Sequence, residues 1–184
     1  MTVLYVAVGV VGFLLLCLVV MYNRFVRQRT LVDESWGGID VELTRRHELI
    51  PNLVETVEGY ATHERAVLEN LVRAREAAAA HRTDDPARRQ EFEETVGRAI
   101  TEVLARVEAY PELQASRSFL DLQDELTHTE DRIAAARRFY NGNVRAYNTR
   151  VATFPSNLVA AMFGFEAREF FEVTDAGART APSV

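Results

Sequence analysis

With 184 residues and a formal net charge of −6, the chain has room for one sizeable core but not for two comfortable domains. Every basic side chain is arginine, and the acidic balance excludes nucleic acid as a partner, which needs a basic face to neutralise phosphates. Cys17 is the single cysteine, so no intrachain disulfide forms and the redox compartment is not indicated.

Residues 3–22, VLYVAVGVVGFLLLCLVVMY, carry no charged side chain. At about 1.5 Å per residue, roughly twenty helical residues span about 30 Å, the thickness of a bilayer's hydrocarbon core. A cleaved signal peptide needs a basic start, a shorter apolar run and a small-x-small site, but here no basic residue precedes Arg24 and the run is too long. Leu16 before Cys17 does not suit a lipoprotein signal. The segment reads as an uncleaved transmembrane anchor over residues 1–23, with Tyr5 and Tyr22 near the headgroups. Arg24, Arg27 and Arg29 follow it and no arginine precedes it, which puts the N-terminus outside and the rest in the cytoplasm. Gly9 and Gly12 lack the four-residue spacing of a helix-dimerising face.

Apolar residues then alternate at four and three: Val32, Trp36, Ile39, Leu43, Ile50, Leu53, Val57, Tyr60, Val67 and Leu71, with Arg46 and Glu64 on the same stripe. This predicts one long helix from about Arg24 to His81, kinked but unbroken at Pro51. Gly37-Gly38 either lets a neighbour approach closely or loosens the join to the anchor. Asp85-Pro86 reads as an N-cap followed by proline at the first helical position. A second helix runs to about Glu108 with Phe92, Val96, Ile100, Val103 and Val107 inward. Tyr110-Pro111 breaks the chain, and a third helix runs from about Leu113 to Thr153 along Phe119, Leu122, Leu126, Ile133, Tyr140, Tyr147 and Val151. Pro155 ends it. A short helix over residues 156–162 stops at Gly164, and the tail from 174 to 184 reads as disordered. The expected fold is all-α: an N-terminal transmembrane helix and then, over residues 24–173, an antiparallel four-helix bundle with one very long first helix. In that arrangement the third long helix is parallel to the first and ends far from the bilayer. Its aromatic end, Phe154 to Phe171, then caps the core; the other reading is an interfacial or partner surface.

No catalytic constellation emerges. Glu125-x-x-His128 has the spacing of one half of a di-iron site, but no second half accompanies it. His47, His63 and His128 with nearby glutamates are the only material for a ligand site, and the solvated-face reading is preferred. Arg46 and Glu64 on the seam are costly unless paired. With Glu130 and Arg137, and with Asn141 and Asn148 one heptad apart, they read as a polar network that sets helix register. No cofactor is expected.

The run Arg45-Arg46-His47-Glu48-Leu49-Ile50-Pro51-Asn52-Leu53-Val54-Glu55-Thr56-Val57, with Tyr60, His63 and Glu64 after it and Trp36-x-x-Ile39-Asp40-Val41 before it, resembles the signature of the LemA family. Tyr110-Pro111-Glu112-Leu113, Tyr140-Asn141, Tyr147-Asn148, Phe154-Pro155-Ser156-Asn157 and Phe170-Phe171-Glu172 look like its second half. The resemblance implies a bacterial, single-pass inner-membrane protein with a cytoplasmic helical bundle and no known catalytic residues. Gly37-Gly38 departs from it, since a better helix former is usual there. The expected function is a membrane-tethered scaffold or adaptor for an unknown protein partner, not an enzyme. The alternatives are a lipid-acting membrane-shaping protein and a metal- or ligand-binding bundle.

Overall fold

The computed structural model describes residues 1–60 and 64–171, so His63 and the 174–184 tail lie outside the described residues. Every regular element among them is helical: α1 (Thr2–Glu58), α2 (Arg65–Ala80), α3 (Pro86–Val107), α4 (Pro111–Gln114), α5 (Arg117–Ala152) and α6 (Ser156–Phe163). The helices fall into two compact units. One comprises Met1–Gly37 with Phe139–Arg168, the other Gly38–Arg138 with the described residues from Glu169 on.

In the second unit, α1 continues through Pro51 and stops at Glu58. It does not run on to His81. Glu58-Gly59-Tyr60 forms a turn, and α2 returns antiparallel: Arg75 reaches the His47 carbonyl and Arg82 reaches Asp40. Gly59 weakens the helix there. The reversal also buries Leu68 and Leu71 on the core that holds Ile50, Leu53 and Val57. Both arms of the hairpin present the same stripe to one core, so the four-three repeat keeps its phase across the turn. Phase alone does not separate a hairpin from a continuous helix.

α3 starts at Pro86 as the sequence indicates, and buries Val96, Ile100, Val103 and Val107 at helical spacing. Asp85 stands at its N-cap, but its side chain makes no capping bond. Leu113 of α4 and Phe119, Leu122 and Leu126 of α5 complete the core. Burying each large apolar side chain contributes about 1.5–3 kcal/mol, which offsets the entropy of ordering these helices.

In the first unit, the apolar start of α1 lies exposed through Leu16, Cys17 and Leu18 are half-buried, and full burial begins at Phe25. α5 runs antiparallel to α1: Trp36 meets Tyr140 at 5.3 Å between ring centroids, and Phe25 meets Tyr147 at 6.2 Å. The expected parallel arrangement is therefore reversed. Its cause is the extra hairpin at Glu58, which adds one change of direction between α1 and α5. The aromatic end returns to the start of the chain, with Tyr22 at 4.8 Å from Phe163. Gly164 closes α6 at φ 68°, a left-handed conformation that suits glycine. Phe165 then turns inward and stacks on Phe25 at 4.7 Å.

At Gly37 and Gly38 no neighbour approaches closely: a Cβ at either would have nothing within 4 Å.

Candidate functional site

The most heavily buried charges belong to the second unit. Arg46 faces the core from α1, because it occupies the seam position between Leu43 and Ile50. Its Nη2 donates to the Glu93 backbone carbonyl at 2.9 Å and to Glu93 Oε2 at 2.8 Å. Its Nη1 donates to Glu130 Oε2 at 3.1 Å. One guanidinium thus ties α1 to α3 and α5. Gly97 lies one turn beyond Glu93, where a Cβ would stand 3.7 Å from Arg46 Nη1. His47 Nε2 lies 3.0 Å from the same Glu93 oxygen, so the proton of that bond sits on Nε2.

Burial alone would raise the Glu93 carboxyl. The hydrogen bond and charge of His47 and the charge of Arg46 outweigh it, and hold Glu93 below the usual carboxylate range. A carboxylate so placed is a weak general base, and its Oε2 is already engaged by two donors. Asp40 accepts from Arg82 at 2.7 Å and from Arg89 at 2.6 Å. The Arg82 bond, opposed by partial burial and aided by Arg89, lowers its carboxyl too. A cavity of about 230 Å³ beside these groups is lined by Thr44, His47, Arg75, Arg82, Arg89 and Glu93. Its arginines already serve interior partners: Arg82 and Arg89 hold Asp40, and Arg75 holds the His47 carbonyl.

The six residues expected to form one network fall in separate places. Arg46 and Glu130 meet. Glu64 instead accepts from the Tyr110 hydroxyl at 3.2 Å, with Arg106 Nε at 3.9 Å. Burial, then the Glu64 bond, raises the Tyr110 hydroxyl. Arg137 is half-buried and makes no ion pair among the described residues. Asn141 is half-buried on α5 in the first unit. Asn148, in the same unit, forms a two-bond clamp on the backbone of Arg168: its Nδ2 donates to the carbonyl and its Oδ1 accepts from the amide, both at 2.8 Å. Arg168 in turn reaches Asp33 at 3.0 Å. Of the candidate ligand set, Glu125 pairs with Arg45 and His128 is exposed.

Glu93, Arg89 and Arg75 are not singled out in the sequence, and Asp40 appears there only within the family signature. A signal existed for the first: Arg89, Glu93 and Gly97 lie four apart, beside the apolar seam of α3, so a charged pair and a bare position share one inward line.

A second cluster stands at the end of the apolar segment in the first unit. Tyr22 contacts Phe163 and Phe165, and the Arg29 guanidinium lies 5.7 Å from the Phe165 ring centroid. Arg150 is lowered by burial and by the nearby Arg24 cation, so basic groups gather there.

The apolar start of α1 is long and hydrophobic enough to cross a membrane, and none of it is buried. An all-helical chain led by such a helix defines a class: helical proteins with a membrane-length N-terminal segment. The LemA family model matches residues 35–184, and the chain belongs to that family. It is 25% identical to Magnetosome protein MamQ 2 of Paramagnetospirillum magneticum, over 87% of this chain and 68% of that protein. Magnetosome protein MamQ of Magnetospirillum gryphiswaldense is 24% identical over the same shares. Protein LemA of Metamycoplasma hominis is 24% identical over 75% of this chain and 63% of its own length.

Proposed function

We propose that the chain is a single-pass membrane tether that presents a cytoplasmic helical domain as a scaffold or adaptor for another protein, without a reaction of its own. One observation carries the reading: α1 is a single helix whose apolar first third is exposed and whose last third is built into a core. Membrane segment and domain are thus joined by helix, and anchoring raises the local concentration of whatever the domain binds. The interior charges support a scaffold, because Arg46 is engaged by Glu93 and Glu130, and Asp40 by Arg82 and Arg89, so none is left turned toward a substrate. Arg24, Arg27 and Arg29 after the apolar segment support a cytoplasmic domain.

Two measurements test this. A C-terminal alkaline phosphatase fusion is expected to be inactive and a fluorescent-protein fusion bright; an active phosphatase overturns the orientation. Crosslinking in cells followed by mass spectrometry is expected to return the same protein partner from independent positions on the domain. Recovery of the chain alone overturns the adaptor role.

A further inference from the structure

We propose that α6 and the rings beside it form an interfacial foot: an apolar surface lying in the headgroup layer of the bilayer that the start of α1 crosses. The proposal rests on the tether reading above.

Residues 151–165 carry no charged side chain, yet half of this stretch is not used for packing. α6 turns Val159 and Ala160 inward. Its other face and its entry leave Phe154, Leu158, Met162 and Phe163 exposed by 74, 58, 66 and 43%. An apolar surface of this kind, gathered on one short element, marks an interaction site.

The occupant follows from where the surface sits. Tyr22 is the last residue of the apolar run, and its ring lies 4.8 Å from Phe163 and 5.7 Å from Phe165. Phe25 stacks on Phe165 at 4.7 Å, and Phe25 stands only about 4.5 Å further along the helix axis than Tyr22. α6 is therefore held within about one helical turn of the point where α1 leaves the hydrocarbon. A headgroup layer is about 5–8 Å thick, and interfacial helices bury their apolar face by about 5–10 Å, so the two depths coincide. Arg24, Arg27 and Arg29 follow Tyr22, and Arg150 stands near Arg24. Such a cationic collar suits anionic headgroups. A second copy or another protein on this face would have to enter the same layer beside the span. Lipid is there already.

The test uses the full chain in vesicles of phosphatidylcholine with a minority of phosphatidylglycerol. In a Cys17→Ser background, Met162→Cys or Leu158→Cys carries an environment-sensitive fluorophore. Alkaline carbonate is applied first, and the chain is expected to stay with the vesicles. Release overturns the tether, and the foot with it. Lipids bearing a nitroxide just below the headgroup are then expected to quench the probe about twofold or more, while aqueous iodide quenches it weakly. Retention with quenching by iodide and not by lipid overturns the foot alone. Quenching by neither, or disulfide-linked dimers through Met162→Cys, means that protein covers the face, and also overturns it. A Leu158→Glu/Met162→Glu chain separates lipid contact from folding. It is expected to keep its helical circular dichroism and lose lipid quenching of a fluorophore on Phe154→Cys. Unchanged quenching overturns the proposal.

Discussion

Arg75 Nε donates to the main-chain carbonyl of His47 at 3.0 Å, and that is the carbonyl Pro51 leaves without a helical donor. In an α-helix each N–H reaches the carbonyl four residues back, and proline has no N–H. The missing bond and the ring's crowding cost a helix about 3 kcal/mol or more in isolation. Here α2 supplies the donor from outside, which is one reason α1 passes through Pro51 unbroken. A coupling follows. Arg75→Ala is expected to destabilise the chain by about 1–2 kcal/mol with Pro51 in place, since it orphans a carbonyl. In a Pro51→Ala background the restored backbone N–H takes that carbonyl, and Arg75→Ala should cost distinctly less. Thermal unfolding of the four variants in detergent checks it; equal costs in both backgrounds refute the coupling.

The Arg46–Glu93 pair predicts an asymmetry between single and double replacement. Both side chains are at most 6% exposed. Arg46→Met leaves Glu93 buried and short of a partner, and should cost about 3–5 kcal/mol. Glu93→Leu should cost a similar amount, because the buried Arg46 then keeps only the main-chain carbonyl at position 93 and the exposed Glu130 carboxylate. The double variant should be more stable than the sum of the two losses implies, since no uncompensated charge stays inside. A strictly additive double variant would show that the two groups act independently.

The hairpin at Glu58 shows where the sequence was legible and where it was not. Helix identity, the breaks at Pro86 and Pro111 and the stop at Gly164 all rest on local chemistry: proline's missing donor, glycine's left-handed φ, apolar spacing. The family signature is local too. The turn after Glu58 rests on one glycine and a stripe that keeps its phase, so nothing local distinguishes two arms from one. That single miss reverses the direction of α5 and moves the aromatic end from the far end of α1 to Tyr22. The site shows the same divide. Arg46 was visible because a charge on an apolar seam is anomalous within its own helix. Its partner Glu93 was not, because pairing across α1 and α3 depends on an azimuth that one helix does not encode. Glu64 shares a seam position with Arg46 but answers to another neighbour, Tyr110, and Asn148 answers to the backbone of Arg168.

Acid should loosen the second unit in a defined direction. Glu93 and Asp40 both have carboxyls held below the ordinary range, Glu93 against its burial by His47 and Arg46, Asp40 by Arg82 and Arg89. A group whose folded pKa is depressed contributes stability that is present above its unfolded pKa, about 4.3 for Glu and 3.9 for Asp. That stability is lost as pH falls below those values and through the folded ones. Melting temperature should therefore be flat in this contribution from pH 7 to about 5 and fall below about 4. Glu93→Gln should be less stable at neutral pH and show a shallower fall in acid. A Glu93→Gln chain with an unchanged acid limb would remove Glu93 as a cause.

The Asn148 clamp predicts a local effect in the first unit. Asn148 presents one donor and one acceptor to the backbone of Arg168, which no carboxylate or aliphatic side chain reproduces. Each bond is worth about 0.5–1.5 kcal/mol net. Asn148→Leu removes both, and Asn148→Asp keeps the acceptor for the amide while turning a second oxygen on the carbonyl. Both should leave α5 helical, because Val144 and Tyr147 beside it stay buried. What changes is the segment after Gly164. Its amide at Arg168 should exchange with solvent about tenfold faster in Asn148→Leu, the equivalent of roughly 1.4 kcal/mol of lost protection. Asn148→Asp should fall between the two, since the amide keeps an acceptor. The Arg168 to Asp33 pair at 3.0 Å offers a second hold, so Asp33→Ala combined with Asn148→Leu should release the segment further than either alone. Hydrogen exchange of residues 165–171 resolves these cases. Protection unchanged in Asn148→Leu would mean that Phe165 stacked on Phe25 holds the segment by itself and the clamp is incidental.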